Sequence, residues 1–325
     1  MYMYVLLSAS AQFLQATITW KQCADVPITM CNGKTSIING DVYFRGMGPE
    51  HEDDDNVLLC YNHEQDRWTA LSPLPVKWFG LGQVDGKLVA VGGLKKNEEA
   101  TNNVYALNSL QKWKPAVPPM PTARCLPGVA SLRSAMIVIG GYSGGEDIDT
   151  VEVFNSSTIQ WYKTNPLPIV CREVSVVTTD NTCYVVGGYK CPFRLNQAFH
   201  VSIDDLLHNA VPINQTTHSG SSDTRSAWKT LPNTPNYQPA AAMLAGSLLA
   251  IGGDKTSTGG TEMKKAYMYS PTTNSWIYIS DLPAPLPETA VALLSSTEIF
   301  VIGGLSMCNG VCVNTVYKGT LHLKL

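Results

Sequence analysis

The sequence is short of charge and of long apolar segments. Lysine, arginine, aspartate and glutamate make up 15% of its 325 residues, and the formal net charge is only −3. Ordinary domains contain about 25% of these residues. A weak, slightly negative charge gives no electrostatic reason to bind nucleic acid or an acidic membrane surface. Because no apolar run reaches the roughly 18 residues of a spanning helix, we expect a protein that binds neither nucleic acid nor membrane.

The sequence also lacks a disulfide framework and a clear export signal. Its nine cysteines are an odd number without framework spacing, so reduced thiols are expected. Cys308 and Cys312 have a metal-ligand spacing, but no second Cys or His pair lies near them in the sequence, so we predict no metal or cofactor. Residues 1–11 contain a short apolar run without a preceding basic segment. We therefore predict a cytoplasmic protein.

What the sequence does contain is a repeated apolar segment that ends in two glycines. Four or five apolar residues without polar alternation are typical of a strand buried on both faces. Paired glycines allow a positive-φ turn where a neighbour leaves no room for a Cβ atom. A degenerate copy at residues 41–48 makes six segments in all. The glycine pairs of the other five are Gly92 and Gly93, Gly140 and Gly141, Gly187 and Gly188, Gly252 and Gly253, and Gly303 and Gly304.

A second marker, an aromatic residue followed by a tryptophan, repeats with the same period. Both series have a spacing of roughly 48 residues, and both are lengthened at the same place, which puts an insertion at about residues 202–226. Such a period is typical of a radially repeated, four-stranded blade. We predict that these glycines and tryptophans pack the blades. The tryptophans are Trp20, Trp68, Trp113, Trp161, Trp228 and Trp276.

This pattern resembles the kelch repeat, whose motif is an apolar run, two glycines and then a spaced tyrosine and tryptophan. The resemblance covers about residues 20–325. It implies an all-β fold, a six-bladed β-propeller of four-stranded antiparallel blades. We take residues 20–325 as one domain with the insertion in blade four, and residues 1–19 as a poorly defined N-terminal extension.

The order of the markers predicts how the ring closes. The chain opens on Trp20 and ends on Gly303 and Gly304 without a further tryptophan. The last blade therefore lacks its outer strand, while the strand around Trp20 lacks a blade. Pairing the two removes two exposed sheet edges, so we predict closure by the N-terminal strand. The alternative is that residues 320–325 fold back as the outer strand.

The candidate binding surface surrounds one mouth of the central channel, where the Gly-Gly loops and the proline-containing linkers emerge. Arginine and aromatic residues, which are enriched at binding hot spots, are frequent there. We predict a ligand-binding face of Trp78, Arg124, Tyr142, Arg172, Tyr189, Arg194, Tyr237, Asp254 and Glu288, with Glu50 and Met307 in the same loops.

Two of these arginines indicate the ligand. Arg124 and Arg172 each follow a proline linker and start neighbouring innermost strands. A guanidinium can hold a carboxylate by two parallel hydrogen bonds, so the pair favours an acidic peptide. The alternative is that each arginine pairs with a local acid, such as Glu146 or Glu173, and only braces neighbouring blades.

No convergent acid–base or metal set points to an enzyme. Of the six histidines, only His51 falls in a loop of the proposed face. We predict a monomeric, non-enzymatic module that binds a protein or peptide. The kelch resemblance also implies possible substrate recognition for a ubiquitin ligase, although the BTB domain through which such relatives act has no counterpart in residues 1–19. It implies two alternatives: an actin-binding protein, or a small-sugar mutarotase or epimerase that uses paired acid–base groups in the channel.

Overall fold

The computed structural model describes residues 15–48, 57–108, 112–132, 134–212, 227–258, 263–306 and 311–324. Over these ranges the chain forms six radially arranged antiparallel sheets, each built on four strands. This confirms the predicted six-bladed, all-β propeller. One short helix lies within the described ranges.

The strands follow the order of the repeats. The first strand precedes blade one and is β1 (Gln15–Gln22). Blade one contains β2 (Cys31–Ile38), β3 (Asp41–Met47), β4 (Leu59–Asn62) and β5 (Arg67–Ala70). Blade two contains β6 (Gly80–Val84), β7 (Lys87–Val91), β8 (Val104–Leu107) and β9 (Trp113–Pro115). Blade three contains β10 (Gly128–Leu132), β11 (Ala135–Ile139), β14 (Val151–Asn155) and β15 (Gln160–Lys163), with the loop hairpin β12 (Tyr142–Ser143) and β13 (Glu146–Asp147).

Blades four to six repeat this plan. Blade four contains β16 (Ser175–Thr178), β17 (Thr182–Val186), β20 (Ala198–Ser202) and β22 (Lys229–Leu231), with the loop hairpin β18 (Tyr189–Lys190) and β19 (Phe193–Arg194). Its insertion holds α1 (Ile203–His208) and β21 (Val211–Pro212). Blade five contains β23 (Ala240–Leu244), β24 (Ser247–Ile251), β25 (Lys265–Ser270) and β26 (Ser275–Asp281). Blade six contains β27 (Ala290–Leu293), β28 (Glu298–Ser306) and β29 (Val311–Lys324).

The N-terminal strand closes the ring, as predicted. Strand β1 pairs antiparallel with β29, from Gln15 opposite Lys324 to Gln22 opposite Tyr317. The alternative closure is wrong, because residues 320–324 continue β29 instead of folding back. Strand β1 begins inside the predicted extension, and residues 1–14 lie outside the described ranges. A Cβ atom on Gly319 would lie 2.6 Å from the ring of Trp20, so the tryptophan packs directly on the last strand.

The glycine pairs join each blade to the next. A Cβ atom on Gly140 would lie 2.3 Å from the Cys171 carbonyl oxygen of the following blade. The N–H of Gly141 donates to that same oxygen at 2.8 Å. Both glycines have positive φ. The first glycine therefore allows the close approach of the next blade, and the second makes the hydrogen bond.

The tryptophans fix the linkers between blades. The Trp161 indole N–H donates to the Pro118 carbonyl at 2.7 Å, and that of Trp276 donates to the Pro232 carbonyl at 2.8 Å. Each of these prolines lies in the linker that precedes the blade of its tryptophan. A buried indole needs a hydrogen-bond partner, and a linker carbonyl supplies it for five of the six tryptophans.

The insertion in blade four begins with a capped helix, α1. The Ser202 hydroxyl accepts a hydrogen bond from the Asp205 N–H, and Ile203 and Leu206 are buried. Strand β21 then pairs with β15 and adds a fifth strand to blade three. The sequence did not predict this strand, because two residues, one of them proline, carry no periodic signal. The rest of the insertion, residues 213–226, lies outside the described ranges.

Candidate binding mouth of the channel

The mouth is framed by a ring of six residues with left-handed backbone. They occupy equivalent positions near the start of each innermost strand, where a non-glycine residue with positive φ is uncommon. Hydrogen bonds join neighbours in this ring: the Leu126 N–H donates to the Trp78 carbonyl at 2.8 Å, and the Glu173 N–H to the Leu126 carbonyl at 2.9 Å. We call this ring the collar. Its members are Asn32, Trp78, Leu126, Glu173, Gln238 and Glu288.

The Gly-Gly loops meet the linkers just outside the collar. Antiparallel bridges pair Arg172 with Tyr189 and Tyr237 with Asp254. Linker and loop residues that the sequence separates by about 17 positions are thereby brought side by side. The linkers and the Gly-Gly loops therefore meet at one mouth, where the side chains predicted from the sequence differ in exposure.

Arg124 is not part of the exposed mouth, and this prediction was wrong. Its side chain is completely buried. The guanidinium lies 2.7 Å from the Glu152 carboxylate and donates to the carbonyls of Gly140 and Thr150, both at 2.9 Å. Burial lowers the pKa of Arg124, and the charge of Glu152 opposes that shift. Arg124 therefore braces blade three from within.

The local partner of Arg124 also differs from the acids suggested by the sequence. Glu152 is the second residue of β14, in a run of four buried residues that would favour an apolar side chain, and its own side chain is 1% exposed. Removing one partner of a buried pair leaves the other charge uncompensated. A glutamate between two valines in an otherwise apolar strand was the signal in the sequence that could have revealed this pair.

Arg172 does lie at the mouth, held between two tyrosine rings. Its guanidinium carbon is 5.0 Å from the centre of the Tyr142 ring and 4.8 Å from that of Tyr189. It also binds Asp147 at 3.0 Å and lies 4.0 Å from Glu173, one of the local acids considered from the sequence. The side chain is 19% exposed. Stacking and pairing hold it in one orientation.

Arg194 joins blades four, five and six. Its Nε lies 2.7 Å from the Asp254 carboxylate, and its Nη2 lies 2.5 Å from that of Glu288. Burial raises the pKa of Glu288, and Arg194 opposes that shift. Asp254 is buried, whereas Arg194 and Glu288 remain partly exposed. Three of the predicted residues thus form one ionic cluster at the rim.

The two remaining predicted residues are aromatic. Trp78 and Tyr237 are both half-buried, and the Lys77 ammonium lies 4.9 Å from the centre of the Trp78 ring. Glu50 and Met307, which the sequence also assigned to this mouth, lie outside the described residues.

Below the collar, the channel contains polar groups that the sequence analysis missed. The Lys34 ammonium extends from blade one and donates to the carbonyls of Glu173 and Val174 in blade four, at 2.9 and 3.2 Å. Burial, with a smaller contribution from the nearby charge of Arg45, lowers the pKa of Lys34 to about 8, and the charge of Glu173 opposes that shift. The Gln238 amide donates to the Glu173 carboxylate at 2.9 Å. These groups line a cavity of about 80 Å³.

Aligning the repeats could have revealed Lys34. It lies two positions after the collar residue of blade one, and the other five blades carry a small residue there. Five small side chains leave space on the channel axis, and a single long amine occupies it. The corresponding residues are Gly80, Gly128, Ser175, Ala240 and Ala290.

The described residues contain neither a metal-binding cluster nor a membrane-spanning helix. Within the described ranges, no group of three or more His, Cys, Asp or Glu side chains is arranged to hold a metal ion. No helix in the described part of the chain is long and apolar enough to cross a membrane.

Comparison with known proteins agrees with this architecture. A family profile described as "Kelch motif" matches residues 123–168 and 235–283. The chain is 24% identical over 183 residues to Kelch repeat and BTB domain-containing protein 2 of Cowpox virus, covering 54% of this chain and 32% of the relative. It is 27% identical over 232 residues to Kelch-like protein 41b of Danio rerio, and the match covers 68% of this chain and 34% of that relative. With Kelch-like protein 23 of Mus musculus it shares 23% identity over 284 residues, and the match covers 83% of this chain and 45% of that relative.

A solved structure has the same fold. The structure of YjhT superposes with a TM-score of 0.71 at 16% identity, covering 93% of this chain and 99% of the other. The fold and the mouth define a six-bladed β-propeller with one rim built from linkers and Gly-Gly loops. The matched motifs, the relatives and this ring together support a kelch-repeat propeller family. It spans less than half the length of the curated relatives named above.

Proposed function

We propose that the protein is a non-enzymatic interaction module whose channel mouth binds a segment of another protein. The observation that carries this proposal is the stack of Tyr142, Arg172 and Tyr189, which is partly exposed and already held in place. Aromatic and arginine side chains dominate binding hot spots, and prior ordering lowers the entropic cost of binding. The kelch-repeat relatives support a protein-interaction module in general.

The ion pairs at the mouth indicate what net charge the bound segment should have. Arg172 and Arg194 each already contact carboxylates, so a strongly acidic peptide would have to compete with those acids. The ligand that the mouth favours is a segment of low net charge with an aromatic or apolar anchor that packs on the tyrosines. We include in the proposal a cytoplasmic location and a monomeric propeller. A more specific version of the proposal is that the bound protein is a substrate that the propeller recognises for a ubiquitin ligase.

Affinity capture with a matched pair of variants tests the proposal. Arg172→Ala removes the centre of the aromatic stack, whereas Lys87→Ala changes an exposed residue at the opposite end of a blade. Proteins captured by the wild type should be lost with Arg172→Ala and kept with Lys87→Ala, while both variants melt within a few degrees of the wild type. If Arg172→Ala keeps every partner, the binding surface lies elsewhere.

The channel favours a second candidate, a small-sugar mutarotase or epimerase. Lys34, Glu173 and Glu288 line one cavity, and an amine whose pKa is lowered to about 8 can exchange protons near neutral pH. Anomer exchange measured by NMR on a panel of monosaccharides tests it. Turnover that Lys34→Met abolishes would favour this enzyme, and no turnover by the wild type would exclude it for the sugars tested.

A further inference from the structure

Two cysteines lie on either side of the seam where the ring closes. Cys31 is the first residue of β2 in blade one, and Cys312 lies near the start of β29 in blade six. Their neighbours in the chain are hydrogen-bonded across the seam: the Met30 N–H donates to the Val313 carbonyl at 3.4 Å. Hydrogen-bonded strands lie about 5 Å apart, which is within the Cα separation that disulfides span.

The two thiols share one acceptor. The Sγ atoms of Cys31 and Cys312 each lie 3.7 Å from the carbonyl oxygen of Met47, and the two side chains are also hydrogen-bonded to each other. Cys31 is half-buried, and Cys312 is 3% exposed. Two sulfurs that contact the same oxygen and hydrogen-bond to each other are neighbours, so rotation of the side chains can bring them to bonding distance.

We propose that Cys31 and Cys312 form a modification site, a disulfide that locks the seam between blades one and six. The oxidant class is a small-molecule disulfide such as oxidised glutathione. The Cys31 thiolate attacks one sulfur of the oxidant and displaces a glutathione thiolate. The Cys312 thiolate then attacks the Cys31 sulfur and displaces the second. The two protein thiols are oxidised, the oxidant is reduced to two glutathione molecules, and the two protons end on those molecules.

The order of attack follows from exposure. Cys31 is the more accessible thiol, and Cys312 is shielded and resolves the mixed disulfide. The hydrogen bond with Cys312, together with burial, raises the pKa of Cys31. Since the thiolate is the reactive form, the disulfide forms faster in alkaline than in neutral buffer. The site therefore reports sustained oxidising conditions better than brief ones.

The disulfide changes the molecule in two places. It encloses blades one to five in a covalent loop, and closing a long loop restricts the unfolded chain strongly. It also replaces the Cys31 thiol, which interacts with the Glu288 carboxylate, and that carboxylate in turn binds Arg194 at the rim. Oxidation thus acts on the closing seam first and on the mouth through Glu288.

Thiol mapping tests the proposal. Reduced protein is incubated with oxidised glutathione at alkaline pH, remaining thiols are blocked, and digests are analysed by mass spectrometry beside a thermal melt. We expect a crosslinked peptide that contains Cys31 and Cys312, and a melting temperature higher by roughly 5 °C or more. Cys31→Ser should abolish both effects, and Cys191→Ser, which removes an exposed thiol, should keep both.

A second variant, Cys308→Ser, tests whether Cys312 instead forms a disulfide with Cys308. Cys308 lies outside the described residues but close to Cys312 in sequence, so the experiment is repeated in Cys308→Ser, where the crosslink should persist. If Cys31→Ser does not fold, a second reagent replaces that variant. Phenylarsine oxide, which binds two neighbouring thiols at once, is added to the Cys308→Ser protein. It should protect Cys31 and Cys312 from alkylation. Linkage of Cys312 to Cys308, glutathione retained on Cys31, a crosslink without a rise in melting temperature, or no arsenical protection would each overturn the proposal.

Discussion

Removing strand β1 should open the propeller and sharply lower its stability. The strand supplies the outer edge of blade six along eight residue pairs with β29. Ile18 is 5% exposed and packs with Leu321 and Ile299. Trp20 packs on Gly319, and its indole donates to the Ser280 hydroxyl at 3.3 Å. Deletion of residues 1–22 removes all of these contacts and leaves β29 as an unpaired edge.

The expected loss can be estimated from the two main side chains. Losing the packing of buried Ile18 costs about 2–4 kcal/mol, and losing that of half-buried Trp20 about 2 kcal/mol. The sum is on the order of 5 kcal/mol, which is comparable with the whole stability of many domains, about 5–15 kcal/mol. For a chain of this size, such a loss lowers the melting temperature by about 10 °C or more.

Differential scanning calorimetry of the truncated protein measures this loss, and two point variants localise it. Ile18→Ala should lower the melting temperature clearly. Thr19→Ala, on the exposed face of the same strand, should stay within about 0.5 kcal/mol of the wild type. A truncated protein with the same melting temperature as the wild type would refute the role of β1 in closure.

Three further changes have defined outcomes. Arg124→Met should lower the free energy of unfolding in urea by about 3–5 kcal/mol, because it leaves buried Glu152 without its partner. Burial lowers the pKa of Lys34 to about 8 from 10.5, so the unfolded chain binds more protons between these values. The wild type should therefore gain stability over Lys34→Met as the pH rises from 7.5 to 10.5, by at most about 3 kcal/mol, in urea melts at each pH. Replacing residues 213–226 by a short Gly-Ser linker should change stability by less than about 1 kcal/mol, since loop length enters closure entropy logarithmically.

Each of these predictions has a control. Adding Glu152→Met to Arg124→Met should recover part of the loss, and no recovery would argue against the ion pair as its cause. Exposed Lys87→Met should not reproduce the pH trend; if it does, the trend is not specific to Lys34. A linker variant that loses several kcal/mol would mean that residues 213–226 pack on the blades.

The sequence predicted the ring because the ring depends on repeated local chemistry. Gly140 and Gly141 are required by the close approach of the next blade, and Trp161 by the linker carbonyl it binds. The glycine pair therefore recurs in five units and the tryptophan in all six. Closure was predictable for a related reason. One missing tryptophan strand at the C-terminus matched one surplus strand at Trp20, and unpaired edges are costly.

The mouth was harder to predict, because position along a strand does not fix the direction of a side chain. Arg124 and Arg172 occupy nearly equivalent places after their linkers, yet one points between strands to Glu152 and the other outward between two tyrosines. The deciding residues, Glu152 and Tyr142, belong to other strands and loops of the blade. Lys34 was missed because its significance lies in the small residues that five other blades place beside it.

The central claim, that the linker and Gly-Gly mouth binds another protein, is tested most directly by site-specific photocrosslinking. A benzophenone amino acid replaces Tyr189 at the mouth or, as the matched control, exposed Asp85 at the opposite end of blade two. After irradiation in cells, we predict discrete protein adducts from position 189, and these should disappear when Arg172 is also changed to alanine. Position 85 should give none of the same adducts. Adducts that form only from position 85, or no discrete adducts from position 189, would contradict the claim.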